Sequence, residues 1–217
     1  MLRILIADDH EVARRGIRAL LEGHPGWEVC GEAKDGREAV ELASSMNPDL
    51  ILLDIGMPVL NGLEAARQIL ATSPEAAVLI LTMHDTDQVV REVLRAGVRG
   101  FVLKSDAGRD LLSAVEALMR QRTFFTTKVS QMVLDGFLDR DNREEQREDT
   151  GDVLTTRERE VIQLLAEGKT SKEVAVTLNL SVKTAETHRT NLMRKLNLHS
   201  VADLTRYAVR NGIVQVF

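Results

Sequence analysis

The stretch "LILLDIGMP", residues 50–58, sets four apolar side chains, Leu50 to Leu53, directly before one carboxylate, Asp54. Gly56 and Pro58 then turn the chain. A strand this apolar, with no polar alternation, fits a parallel sheet covered by helices on both faces. The same kind of run recurs along the first half, so strands are predicted over 3–7, 27–33, 50–54, 77–82 and 100–103. Helical patterns over 11–22, 36–46, 63–72, 88–96 and 108–120 alternate with them. Breakers at Pro25-Gly26, Asn47-Pro48 and Ser73-Pro74 separate the units. In the first helix Val12, Ile17, Leu20 and Leu21 read as one inward face. Five alternating βα units predict an α/β, doubly wound parallel sheet.

The strand ends carry the chemistry. Strand one ends in Asp8-Asp9, strand three in Asp54, strand four in Thr82 and strand five in Lys104. In the flavodoxin-like strand order 2-1-3-4-5, strands one and three lie side by side at the switch point where ligands gather. Asp8, Asp9 and Asp54 are then expected to converge. Carboxylates that close repel one another, and a hard cation relieves the conflict. Mg²⁺ suits oxygen donors and takes one or two carboxylates together with water and phosphate oxygens. Asp9 and Asp54 are candidate direct ligands, Asp8 a direct or water-mediated one, and the Gly56 carbonyl a further donor. An aspartate beside Mg²⁺ can attack phosphorus. Lys104 would neutralise charge on the transferred group, and the Thr82 hydroxyl would donate to a phosphoryl oxygen. Taken singly, Asp8-Asp9 read as a helix cap, Asp54 as a turn former, and Thr82 and Lys104 as nothing in particular. The signal lies in their meeting at one sheet edge.

The second half is different. Residues 1–125 carry 14 basic and 19 acidic side chains, 126–152 carry 4 and 8, and 153–217 carry 10 and 6. An acidic protein with a basic end hints at a nucleic-acid partner for that end. Residues 123–152 read as a linker: "DRDNREEQREDTGD" has too few apolar groups to fold, though "KVSQMVLDGFL" has the length of a short helix. From 153 to 217 four helical patterns follow without strands, giving a small all-α unit. Thr155 or Thr156, Thr170 and Ser181 are candidate N-caps, and Gly168 and Asn211-Gly212 are stops. Two short helices joined by a tight turn suggest a helix-turn-helix. Cys30 is the only cysteine, which excludes an internal disulfide and a zinc cage and leaves it a packing role. No apolar run is long enough for a transmembrane helix, and the N-terminus lacks a signal-peptide core, so a cytoplasmic protein is expected.

Residues 1–122 resemble the receiver domain of two-component response regulators, through "IADDH", "LLDIGMPVLNG", "LILT" and "GFVLKS". The resemblance implies that Asp54 accepts a phosphoryl group from a histidine kinase, that Asp8 and Asp9 hold Mg²⁺, and that Thr82 and Lys104 sense the phosphoryl group. Phe101 matches an aromatic switch position, and reads equally as a core aromatic of strand five. Ser105 stands where many such domains have proline. The responsive surface of the family corresponds here to Val90, Leu94, Ala107 and Leu111. Residues 153–217 resemble the DNA-binding domain of LuxR/FixJ (NarL) type regulators, through "LTTREREVIQLLAEGKTSKEVA" and "LSVKTAETHRTNLMRKL". The recognition helix is expected over 182–196, with Leu192 and Leu196 inward and Val182, Ala185 and Met193 near them. Glu186, Thr187 and Thr190 would face bases, and Lys183, Thr184, His188 and Arg189 would contact the backbone of double-stranded DNA. Two such helices one DNA turn apart would read a pseudo-palindrome, so a homodimer is expected, with Val201, Leu204 and Val209 as candidate contacts. Two alternatives remain at this point. A phosphatase of the haloacid-dehalogenase type would place a second acid two residues after its nucleophile, where this chain has Gly56. A DNA-binding protein whose first half is never phosphorylated would use that half only to dimerise.

Overall fold

The structure is a computed structural model that describes residues 1–83, 86–126, 129–131 and 154–214. Its first unit alternates strands and helices: β1 Leu2–Ala7, α1 Glu11–Glu22, β2 Trp27–Ala33, α2 Gly36–Met46, β3 Leu50–Asp54, α3 Gly62–Thr72, β4 Ala77–Thr82, α4 Asp87–Arg95, β5 Gly100–Leu103 and α5 Ala107–Met119. The strands form one parallel sheet in the order β2-β1-β3-β4-β5-β6. The sixth strand, β6 (Phe124–Phe125), corrects the expected five; it pairs with β5 through Gly100↔Phe124 and Phe101↔Phe125. Two residues show no periodicity, and the pair falls within the segment read as linker.

Alternate side chains of each strand feed two cores, as the pleat requires. Ile4 and Ile6 of β1 and Leu50 and Leu52 of β3 meet α1 and α5 through Ile17, Leu21, Leu111 and Val115. Leu5, Ala7, Ile51 and Leu53 meet α2, α3 and α4 through Ala39, Leu63, Ile69, Val90 and Val93. The inward face of α1 is narrower than expected: Ile17 and Leu21 are buried, whereas Val12 is 86% and Leu20 39% exposed. At 100° per residue Val12 lies opposite Leu21, so an apolar count overstated the stripe. The responsive surface divides likewise, since Val90 and Leu111 are core residues while Leu94 and Ala107 are half-buried.

Two glycines let α2 and α3 start close to the β3 end. A Cβ on Gly62 would stand 2.0 Å from the carbonyl oxygen of Asp54, and one on Gly36 would stand 2.1 Å from that of Leu60. Between them, in the loop after β3, Val59 holds a left-handed φ of 67°, unfavourable for a β-branched residue.

The second unit has α6 Thr156–Ala166, α7 Ser171–Thr177, α8 Val182–Lys195 and α9 Val201–Arg210. Thr155 and Thr170 each close a capping box, with Glu158 and Glu173, and Ser181 and Ser200 cap the last two helices. Val161, Ile162, Leu164, Leu165, Val174, Leu178, Ala185, Leu192, Leu204 and Ala208 form its core. Val182 departs from expectation: as the first residue of α8 it is 40% exposed. Of the expected linker, Val129 is buried in the first unit; most of it, including the charged run and most of the candidate helix, lies outside the described residues.

Candidate functional site

Strand register sets the site. Ala7 pairs with Leu53, Asp54 with Leu81 and Thr82 with Leu103, so β1, β3, β4 and β5 end at one level. The residues just beyond or at those ends are Asp8, Asp9, Asp54, Thr82 and Lys104, all at the same edge. Asp8, Thr82 and Asp54 are buried, at 1%, 0% and 5% exposure. Lys104 Nζ lies 2.7 Å from Asp8 Oδ2 and 2.8 Å from Asp54 Oδ2, bridging the two acids. Burial raises the Asp54 carboxyl above its ordinary range, with Lys104 acting in the opposite direction. Burial also works against the charge on Lys104, but Asp54 and Asp8 outweigh it and raise the ammonium.

One ammonium against three carboxylates leaves negative charge at the edge. Ligand atoms of Asp8, Asp9, His10 and Asp54 all lie within 4.8 Å of one another. Asp9 Oδ1 is buried and makes no hydrogen bond, although His10 Nδ1 is 2.9 Å away. This donor set fits a hard divalent cation. His10 was not singled out from the sequence. Its backbone N–H donates to Asp8 Oδ1 at 2.9 Å, while its ring stands 3.4 Å from the same oxygen. Gly56 lies beside the site, where its backbone works against burial to lower the Asp54 carboxyl. Phe101 is wholly buried in the core shared with Ile80 and Val90.

In the second unit, α8 presents Lys183, Thr184, Glu186, Thr187 and Thr190 to solvent, with His188 and Arg189 half-buried. Thr187 Oγ1 donates to the Lys183 carbonyl at 2.9 Å. Of the expected dimer contacts, Leu204 is buried in its own core and Val209 is half-buried beside Val89 and Leu63 of the first unit. Val201 alone is exposed, at 47%.

The units meet through α6 and the end of α9. Gln163 Oε1 accepts from the Asn61 N–H at 2.8 Å, and Gln163 Nε2 donates to the Met57 carbonyl at 3.1 Å. Asn61 Nδ2 donates to the Ile213 carbonyl at 3.0 Å. Arg37 and Gln68 donate to Glu160 Oε1 at 2.8 and 3.2 Å. Glu64, 1% exposed, stands 3.3 Å from Arg67 and 3.9 Å from Arg159 of α6. Sequence reasoning missed these residues. The available signal was weak: Glu160 and Gln163 are polar members of "EVIQLLA", whose first six residues are all buried.

Residues 4–116 match the family described as response regulator receiver domain, and residues 152–208 match bacterial regulatory proteins of the luxR family. The chain is 36% identical to the transcriptional regulatory protein LiaR of Bacillus subtilis, covering 99% of this chain and 100% of that protein. It is 36% identical to the oxygen regulatory protein NreC of Staphylococcus carnosus, covering 98% and 99%. Among solved structures, the RcsB response regulator of Salmonella typhimurium aligns with a TM-score of 0.59 at 28% identity, over 95% of this chain and 98% of that one. A structure of RcsB in complex with DNA aligns with a TM-score of 0.59 at 28% identity, over 97% and 98%.

Proposed function

This chain belongs to the two-component response regulators that join a receiver domain to a LuxR-type DNA-binding domain, and from that premise we propose that Asp54 is the residue that carries the phosphoryl group. The family is one of transcriptional regulators, not enzymes. The observation that carries the assignment is the ammonium of Lys104 bridging buried Asp54 and buried Asp8, beside the buried Asp9 oxygen. An Asp54 carboxylate oxygen attacks phosphorus of a phosphohistidine on the partner kinase. The new O–P bond forms as the P–N bond breaks, and the electron pair stays on the imidazole nitrogen. Asp8, Asp9 and Asp54, with the Gly56 carbonyl, would hold Mg²⁺. When bound, Mg²⁺ supplies positive charge for the phosphoryl oxygens. Lys104 and the Thr82 hydroxyl serve the same oxygens from the other side. Phe101 is already enclosed, so its share in switching is a repacking within the core.

For the second unit we assign base contacts to Glu186, Thr187 and Thr190, and DNA-backbone contacts to Lys183, Thr184, His188 and Arg189. Their presentation along the outer faces of α8 supports this. The active form on DNA is a homodimer, and Val201 remains a candidate contact. Residues 1–122, together with β6 and Val129 of the segment that follows, act as the receiver, 153–217 as the DNA-binding domain, and the rest of 123–152 as the linker. The protein works in the cytoplasm, where its DNA is; no helix among the described residues is long and apolar enough to cross a membrane.

The test is labelling by a small phosphodonor such as acetyl phosphate with Mg²⁺. Wild type takes about one phosphoryl group per chain, while Asp54→Asn takes none. Undiminished labelling of Asp54→Asn would show that the acceptor lies elsewhere.

A further inference from the structure

The loop after β3 is gripped by side chains of the DNA-binding unit. Gln163, 1% exposed, spans the loop, accepting from the Asn61 N–H at 2.8 Å and donating to the Met57 carbonyl at 3.1 Å. Glu167 Oε1 accepts from the Val59 N–H at 3.2 Å and from Gln163 Nε2 at 2.8 Å. Three backbone groups between Met57 and Asn61 thus find partners in the other unit. Val59 sits among them at a φ of 67°, which a β-branched residue holds only when its surroundings impose it. Directly before Met57 comes Gly56, two residues after Asp54. A cavity of about 120 Å³ joins the two regions, lined by Asp9, Gly56 and Met57 on one side and Gln163, Glu167 and Ile213 on the other. The acidic cluster and the DNA-binding unit therefore share a wall.

We propose that Gln163 and Glu167 are positioning residues for the acidic site of the other unit: by fixing the loop that follows Asp54 and Gly56, they set how tightly that site takes its divalent cation. The inference rests on the reading of Asp54, Asp8 and Asp9 given above. The donor atoms converge within 4.8 Å while the loop is held. A released loop has more conformations to lose when a cation binds, and affinity falls accordingly. The coupling is reciprocal: a cation in the site tightens the grip of the DNA-binding unit on the loop by the same factor.

Gln163→Met keeps the length of the side chain and removes its two hydrogen bonds to the loop and its bond to Glu167. The intact chain is titrated with Mg²⁺, and amide resonances and hydrogen exchange of Gly56, Val59 and Asn61 are followed. In wild type, Mg²⁺ slows exchange at Val59 and Asn61. In Gln163→Met the Mg²⁺ dissociation constant rises roughly fivefold, as expected for losing about one net hydrogen bond. Exchange at Val59 and Asn61 is then fast and indifferent to Mg²⁺, while the amides of β3 stay protected. Glu167→Ala, at an exposed position, weakens Mg²⁺ in the same direction and carries the test if Gln163→Met does not fold. Unchanged Mg²⁺ affinity in the folded variants overturns the proposal. So does loss of protection throughout β3, which marks a general structural defect. A wild type that shows no Mg²⁺ response at all overturns the acidic-site reading itself, and this inference with it.

Discussion

A carboxyl group buried without a full set of partners keeps its proton longer than one in water. Glu64 is such a group: burial holds it above its ordinary range, with Arg67 and Arg159 pulling the other way, and its Oε1 makes no hydrogen bond. The folded chain binds this proton more tightly than the unfolded chain does. The stability it contributes is full below the unfolded value and is lost as pH rises through the raised folded value. Glu64→Gln puts an uncharged amide in the same place and removes that loss. The variant is expected to gain stability on wild type as pH rises above about 4, measured as the difference in urea midpoints with increasing pH. Parallel midpoints at every pH would refute the assignment. Asp54, Asp8 and Lys104 were readable from the sequence because strand ends in a parallel sheet have known destinations. Glu64 was not, since one of its two cationic neighbours is Arg159, 95 residues on, and no local pattern records that approach.

The elements follow from local rules with few exceptions. Strands β3 to β5 begin and end where apolar runs do, and of the helices described all but α1 and α5 begin at a side chain that caps them. What escaped was geometry at the scale of an atom. The start of α3 against the end of β3 depends on Gly62 having no side chain, since a Cβ there would meet the Asp54 carbonyl at 2.0 Å. Gly62→Ala is expected to cost roughly 1–3 kcal/mol by overpacking and to slow labelling of the shifted Asp54. Gly16→Ala is the matching control, for a Cβ on that residue of α1 meets nothing within 4 Å. It should stabilise by about 0.5–1 kcal/mol, as alanine does over glycine in a helix. Thermal unfolding of both variants, alongside the labelling rate, checks the pair; equal behaviour would mean that the α3 start is not closely fitted. The expected face of α1 failed for a related reason: Val12 is apolar, but its angle on the helix takes it away from the sheet.

At the scale of the whole molecule, a first unit with two cores and a second with one meet through a polar seam. The existence of two units was legible from the change in pattern and charge. The seam was not, because Gln163 and Asn61 lie 102 residues apart and neither announces the other. The seam uses α6 and the end of α9 and leaves α8 outside it. Lys183→Ala should weaken binding to all DNA sequences alike and reduce the slope of log affinity against log salt by about one; an unchanged slope would remove Lys183 from the phosphate contacts. The open position of α8 carries a broader consequence. A helix that already faces solvent needs no parting of the two units before it can meet a duplex.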